Sequence, residues 1–345
     1  MTDAQPQLRA RWRSRGRLGL LAAITLVLVF VSAALAARDS GLLPGLGDES
    51  DNAEIIARVE VTALPTATVL PSPTPAPPIV APTVDLRPAE VGQGETSLVW
   101  VHQPGADSGS VAFLGQRLPL TRHGDVLWAV VGAGLAAPLG ASTATITTRD
   151  ARGGVLSTVE APFSVVTVER PVDYLIASEE VTAVLTPEAA ELEAFLRTFE
   201  QYNVFDSRPR WSGFLVQPAE GIITTEFGQG RSINGGPVGG FHSGTDIANV
   251  LGTPVRSAAA GRVAWAGEMP IRGNTVLVDH GAGVMTGYSH LESIEVALGD
   301  AVDTDTIVGL MGSTGFSTGS HLHWELTIYG VNVDPMTWTL REFTP

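Results

Sequence analysis

Apolar and polar positions along the chain change period several times, and each change marks a different kind of segment. After a short basic tail (1–17), an unbroken apolar run of 20 residues extends from Leu18 to Ala37, with only Gly19, Thr25 and Ser32 off the apolar set. As a helix it would span about 30 Å, the thickness of a bilayer core. Residues 38–83 have no apolar period, and seven prolines fall between Pro65 and Pro82 among Thr, Ser and Ala. Such a stretch cannot bury a core and reads as an extended linker. From 84 to 168 the period becomes two. Leu98, Trp100 and His102 alternate with Val99 and Val101, and short runs follow at 110–114, 126–131, 142–148, 155–159 and 163–168. About six or seven strands with turn signals between them predict a small antiparallel β-sandwich of immunoglobulin-like architecture.

Residues 169–211 switch to a helical pattern. Thr186 is a good N-cap, Pro187 suits the first helical position and Glu188 complements the helix dipole. Leu192, Phe195, Leu196 and Phe199 then share one helical face and are expected to be core. From 212 to 345 strand-like runs return at 221–225, 254–257, 261–266, 274–279, 285–290, 307–311 and 321–329, separated by glycine-rich turns. The fold class expected is therefore mainly β, with an almost all-β C-terminal domain.

Charge placement orients the front of the chain. Arg9, Arg11, Arg13, Arg15 and Arg17 precede the apolar run, which puts the N-terminus inside and sends the rest outward. The run is longer than the roughly 7–15 apolar residues of a signal peptide, so an uncleaved membrane anchor at 18–37 is expected. The alternative is secretion after cleavage near Ala36. The net charge is −15; beyond residue 37, 16 arginines face 35 acids, a balance that argues against a nucleic-acid partner. Cysteine and lysine are both absent, which excludes disulfides, thiolate ligands, Schiff-base chemistry and a lipoyl-type carrier.

The chemistry concentrates near the C-terminus, where five of the seven histidines lie between 242 and 323. His242 and Asp246 are four residues apart; His321 and His323 stand at i and i+2, and one strand face can present both. Two imidazoles and a carboxylate are a familiar ligand set for catalytic zinc, which keeps a fourth position for water. His290 lies between these motifs. His102 and His123 lack ligand-spaced partners, and His280 follows the strand run Thr275–Asp279 into a glycine-rich turn, so all three read as structural.

On these residues the chain resembles the lysostaphin-type, or LytM, zinc metallopeptidases. The resemblance is carried by His242-Ser-Gly-Thr-Asp246, Tyr288-Ser-His290-Leu and His321-Leu-His323-Trp-Glu325. Thr225-Glu-Phe-Gly228, Gly252-Thr-Pro-Val255, Ala260-Gly-Arg-Val263, Val278-Asp-His-Gly281 and Gly312-Ser-Thr-Gly315 support it, over about residues 212–340. One departure is Asp305, where the family usually has glycine in a turn. The resemblance implies a two-layer antiparallel β-sheet peptidase domain binding one Zn2+ per chain. His242, Asp246 and His323 would be the metal ligands, and His290 and His321 the catalytic pair that assists the attacking water. Glu325 would follow His321 and His323 on the same face and could back a ligand imidazole; Tyr288 could line the groove. The implied activity is an extracytoplasmic metalloendopeptidase acting on peptidoglycan stem or cross-bridge peptides. A cross-link bond is favoured over a glycine bridge, since no wall-targeting module of the glycine-bridge kind is recognisable. The alternative is a non-catalytic wall-binding module or an activator of other wall hydrolases.

Overall fold

The computed structural model describes residues 80–344. The basic tail, the apolar run 18–37 and the linker up to residue 79 therefore lie outside the described residues. Among the described residues no helix is long and apolar enough to cross a membrane.

The first half is built of eight strands: β1 (Thr83–Arg87), β2 (Glu90–Gly92), β3 (Glu95–His102), β4 (Ser108–Phe113), β5 (Gln116–His123), β6 (Val126–Ala133), β7 (Gly140–Arg149) and β8 (Val155–Val166). Their hydrogen-bonded order is β1-β3-β6-β5-β4-β7-β8-β2. Strand β5 joins the two halves of this order: Gln116–Leu120 pairs with β4, and Thr121–His123 pairs with β6. All pairings are antiparallel except β2 with β8. Burial alternates along β7, which places Ala144 and Ile146 in the interior, whereas β3 and β6 are buried on both faces, with Val99, Val101, Trp128 and Val130 in the interior.

A connector follows. It holds β9 (Val172–Leu175), a short helix (Glu179–Thr182), a longer helix (Pro187–Leu196) and a 3-10 turn (Thr198–Gln201). Thr186 caps the longer helix as expected, its hydroxyl accepting the Ala189 N–H at 3.1 Å. The apolar stripe does not behave as expected. Leu192 and Phe195 are exposed, while Glu193 and Glu200 are buried. The helix docks through its carboxylates, which find arginine and main-chain partners that no apolar face offered.

The second half holds β10 (Ile222–Thr225), β11 (Gly230–Ile233), β12 (Val238–Phe241), β13 (Thr245–Ala248), β14 (Pro254–Arg256), β15 (Gly261–Met269), β16 (Gly273–Asp279), β17 (Val284–Ile294), β18 (Ala301–Val302), β19 (Ile307–Met311), β20 (His321–Ile328) and β21 (Val331–Val333). The main path runs β10-β13-β20-β17-β16-β15-β18. Strand β17 also pairs through Leu291–Ile294 with β19, which carries β14. A smaller sheet orders β12-β11-β9, so the connector contributes a parallel strand beside β11. The turn around Asp305 needs no glycine. Asp303 closes it by accepting the Asp305 N–H at 3.1 Å and the Thr306 hydroxyl at 2.7 Å, and Asp305 has no positive φ.

The two halves share a core. Trp128 meets Trp211 edge-on, with ring centroids 6.3 Å apart, and Trp211 packs on Trp338 at 5.7 Å. The Trp338 indole N–H donates to Thr96 Oγ1 at 3.0 Å, a buried bond across 242 residues of sequence. At Gly132 the side chains of the second half come so close that a Cβ would sit 2.9 Å from Val333 Cγ1. Aromatic pairs of this kind add about 0.5–1.5 kcal/mol each beyond their area burial. The β-strands of the first half thus form part of the second half's foundation.

His280 is structural, as its place in the sequence suggested, and it predicts a pH effect. Its Nδ1–H donates to the Ala260 carbonyl at 2.8 Å, and Nε2 lies 2.7 Å from Thr286 Oγ1. Complete burial pulls its pKa from 6.5 down to about 4. Between those values the unfolded chain binds a proton that the folded chain refuses, so stability falls as pH drops. The loss at pH 4 should be about 3 kcal/mol. Urea unfolding at pH 7 and pH 4 should show His280→Gln with a flatter dependence than the parent; equal slopes would exclude His280 as the source.

Candidate metal centre

Two adjacent strands create the site. β13 and β20 run antiparallel with Asp246 directly opposite His323, and Ser289 of β17 flanks His323 on its other side. Because residues at i and i+2 face one way, His321, His323 and Glu325 line the same side of β20. The loop before β13 delivers His242. Within that loop Gly244 is required by close approach, since a Cβ there would lie 2.4 Å from the Trp324 carbonyl oxygen and 3.0 Å from His323 Cε1.

His242 Nε2, Asp246 Oδ1 and His323 Nδ1 form a triangle. Nε2 is 2.9 Å from Oδ1, Nδ1 is 2.8 Å from Oδ1, and the two ring nitrogens are 2.9 Å apart. All three residues are buried, and they form a potential metal-holding group among the described residues. The remaining polar atoms fix which nitrogen is free. His242 Nδ1–H donates to the Glu226 carbonyl at 3.0 Å, which leaves Nε2 with its lone pair toward the triangle. His323 Nε2 lies 3.4 Å from Glu325 Oε1, so its Nδ1 is the inward atom. This pinned donor set of two imidazoles and one carboxylate fits zinc.

Burial and the close contacts shift all three pKa values. Burial lowers the His242 pKa, opposed by its bond to Asp246. For His323, burial is outweighed by the bonds to Asp246 and Glu325, and its pKa rises. Burial would raise the Asp246 carboxyl, but the bonds from His242 and His323 hold it well below the usual carboxylate range. Asp246 Oδ2 also accepts from Arg231 Nη2 at 3.0 Å.

His290 and His321 stand beside the triangle. Their ring centroids are 4.8 Å apart, and His290 lies 5.8 Å from His323. His290 Nδ1–H donates to the Thr314 carbonyl at 2.7 Å, and His321 Nδ1–H to the Gly319 carbonyl at 2.8 Å. Each therefore keeps Nε2 free, and His321 Nε2 is 3.7 Å from Asp246 Oδ1. Desolvation lowers both pKa values, most strongly for the deeper His290. All five residues singled out in the sequence thus converge on one place.

Two sequence expectations need correcting or extending. Tyr288 does not line the groove: it is fully buried, and its hydroxyl accepts the Ala258 N–H at 2.7 Å. The reason is His290, whose φ of 62° breaks the strand alternation between the two. Glu325 does back His323, and it is itself held by Arg197 and Arg272. Those arginines, Arg231 and Glu193 carried no motif signal, because isolated arginines and a helical glutamate read as solvated surface.

Residues 240–335 match the model of Peptidase family M23. Over 100 residues, 29% of this chain, the sequence is 42% identical to the DD-carboxypeptidase/endopeptidase Mpg of Neisseria meningitidis, of which it spans 23%. Over 95 residues, 28% of this chain, it is 43% identical to the Peptidoglycan DD-endopeptidase ShyA of Vibrio cholerae, of which it spans 22%. The chain thus spans less than a quarter of the length of these relatives. A crystal structure of a peptidase M23 from Pseudomonas aeruginosa superposes on 72% of this chain and 93% of its own, with TM-score 0.54 and 27% identity.

Proposed function

We propose that this chain, whose residues 240–335 form a peptidase family M23 domain, is a zinc metalloendopeptidase that hydrolyses peptide bonds of peptidoglycan outside the cytoplasm. The observation that carries the reading is the buried triangle of His242, Asp246 and His323 with two further imidazoles beside it. A purely structural metal site has no use for His290 and His321.

His242, Asp246 and His323 would hold the zinc, whose chemistry is to lower a water's pKa toward 7 and to polarise a carbonyl. The protein's own part follows from the hydrogen bonds. Thr314 and Gly319 fix the tautomers of His290 and His321, so both present Nε2 to the reacting atoms. One would accept the proton of the attacking water at Nε2; the other would donate to the developing oxyanion in its protonated form, in which Nε2 also carries a hydrogen. Arg231 aims Asp246 through its bond to Oδ2.

The substrate reading rests on the names of the relatives, which act as DD-endopeptidases. We read the bond cut here as a D-alanyl cross-link. We read residues 84–168 as an immunoglobulin-like sandwich, supported by the order β1-β3-β6-β5 beside β4-β7-β8-β2 and by the parallel β2–β8 pair. Residues 18–37 anchor the chain in the membrane, with 38–83 as the linker and 169–211 as the connector to a peptidase domain at 212–345.

The test is digestion of purified sacculi by the zinc-loaded full chain, with products identified by mass spectrometry. Cross-linked dimers should disappear as monomers with free D-alanyl ends accumulate. Intact sacculi would sink the enzyme reading in favour of a binding module. Recovery of a soluble form beginning at Ala37 would replace the anchor by a cleaved signal.

A further inference from the structure

We propose that the connector is part of the catalytic apparatus: Glu193 and Arg197 hold Arg272 and Glu325, and through them fix the orientation of His323 and His290. The inference deepens the peptidase reading above and rests on it.

Two arms reach from the connector to the site. In the first, Glu325 lies behind His323, its Oε1 3.4 Å from Nε2. Glu325 is itself clamped, by Arg197 Nη1 at 2.9 Å and by Arg272 Nε at 2.8 Å and Nη2 at 2.6 Å. In the second, Glu193 Oε2 accepts the N–H groups of Ile271 at 2.7 Å and Arg272 at 3.1 Å, while Oε1 pairs with the Arg272 guanidinium. The carbonyl of the same Arg272 accepts the N–H of His290 at 2.9 Å, at the residue whose φ is 62°. Arg272 Nη2 also donates to Ser243 Oγ at 3.1 Å, which lies 3.4 Å from His323 Nε2. Arg272 therefore touches both halves of the site, and the connector touches Arg272.

Energetics argue that this lattice is there for position rather than for stability. Glu193, Glu200 and Glu325 are 1–3% exposed. Burying ion pairs costs several kcal/mol of desolvation per ion, and well-packed apolar side chains often do as well or better. What an ionic lattice provides is fixed direction. An imidazole ligand turns about its side-chain bonds unless its outer nitrogen is held, and partners of that outer nitrogen are typically worth about 10–100-fold in metal affinity or activity. Glu193 and Arg197 both lie outside the 240–335 stretch that matches the family model, so the site of this chain extends beyond that stretch.

The test uses the full chain with Arg197→Lys, which keeps the buried charge, and Arg197→Met with Glu200→Gln, which keeps the net charge of the lattice. Glu191→Gln, exposed on the same helix, serves as control. Zinc affinity is read by competition with a chromophoric chelator, the ligand field by the visible spectrum of the Co(II)-substituted protein, and kcat and KM on a soluble cross-linked muropeptide. Both Arg197 variants should bind zinc about 10-fold or more weakly, shift the Co(II) bands and lose kcat with KM unchanged, the lysine variant less severely. Unchanged zinc affinity, spectrum and kcat in the folded Arg197→Lys chain would overturn the proposal, as would an equal loss in Glu191→Gln. Should the double variant not fold, the lysine variant decides. If the parent chain binds zinc but spares every muropeptide, the peptidase reading fails while the affinity and spectral readouts still judge the lattice.

Discussion

Replacing any one of His242, Asp246 or His323 by alanine is expected to leave the purified chain without stoichiometric zinc and without hydrolytic activity. The three donors lie within 2.8–2.9 Å of one another, and among the described residues they make up the metal-holding group. The nearest substitute, His321 Nε2, stands 3.7 Å from Asp246 Oδ1 with its other nitrogen committed to Gly319. Zinc binding to such sites draws on deprotonated ligands acting together, so two donors retain little of the affinity of three. The consequences should differ in kind. His242→Ala and His323→Ala remove a neutral donor, whereas Asp246→Ala also takes from Arg231 the nearer of its two carboxylates, at 3.0 Å, and leaves it only Asp173 at 3.9 Å. The aspartate variant should therefore lose thermal stability as well as metal, because a partly buried guanidinium loses its hydrogen-bonded carboxylate. Metal analysis after exhaustive dialysis decides the matter: full zinc occupancy in any of the three removes that residue from the ligand set.

What the sequence disclosed and what it hid follow from how local each cause is. The ligand pairs were legible because strand period two and short loops are local: His321 and His323 share a face wherever that strand lies. Strands β3, β6 and β7 were legible as short β-type runs between turn signals. Strand β5 was not, since only Leu118 and Leu120 mark its buried face and the Pro119 between them reads as a strand breaker. Strands β11 and β12 were hidden by their glycines, which read as loop, although the pairing of Gly230 with Phe241 makes them a hairpin. The connector failed most instructively. Its helix and cap were predicted, but helical period cannot tell which face meets a neighbour when that neighbour offers Arg272 and two main-chain N–H groups. Burial of Glu193 beneath an exposed Phe195 is a tertiary decision. Tyr288 was misplaced by a single left-handed residue, a backbone choice at a histidine that no propensity announces.

His290→Ala and His321→Ala should separate the catalysts from the ligands. Both variants are expected to keep the fold and full zinc while turnover on sacculi falls by about 10²–10⁴-fold, the usual contribution of a positioned acid–base group. Neither ring is a member of the donor triangle. Each donates Nδ1–H to a loop carbonyl, Thr314 or Gly319, so truncation frees a carbonyl but no metal ligand. The two should not be equal in structural cost. His290 is 6% exposed and holds a left-handed φ, so alanine there leaves both a cavity and backbone strain; His321 lies nearer the surface. His290→Ala should therefore melt earlier than His321→Ala at similar residual activity. Doubling the substitution should cost less than the product of the two single losses, because both imidazoles serve one transition state. Release of zinc by either single variant would make that histidine a ligand, and full activity in both would leave the peptidase without its proton-transfer groups and return the chain to a binding role.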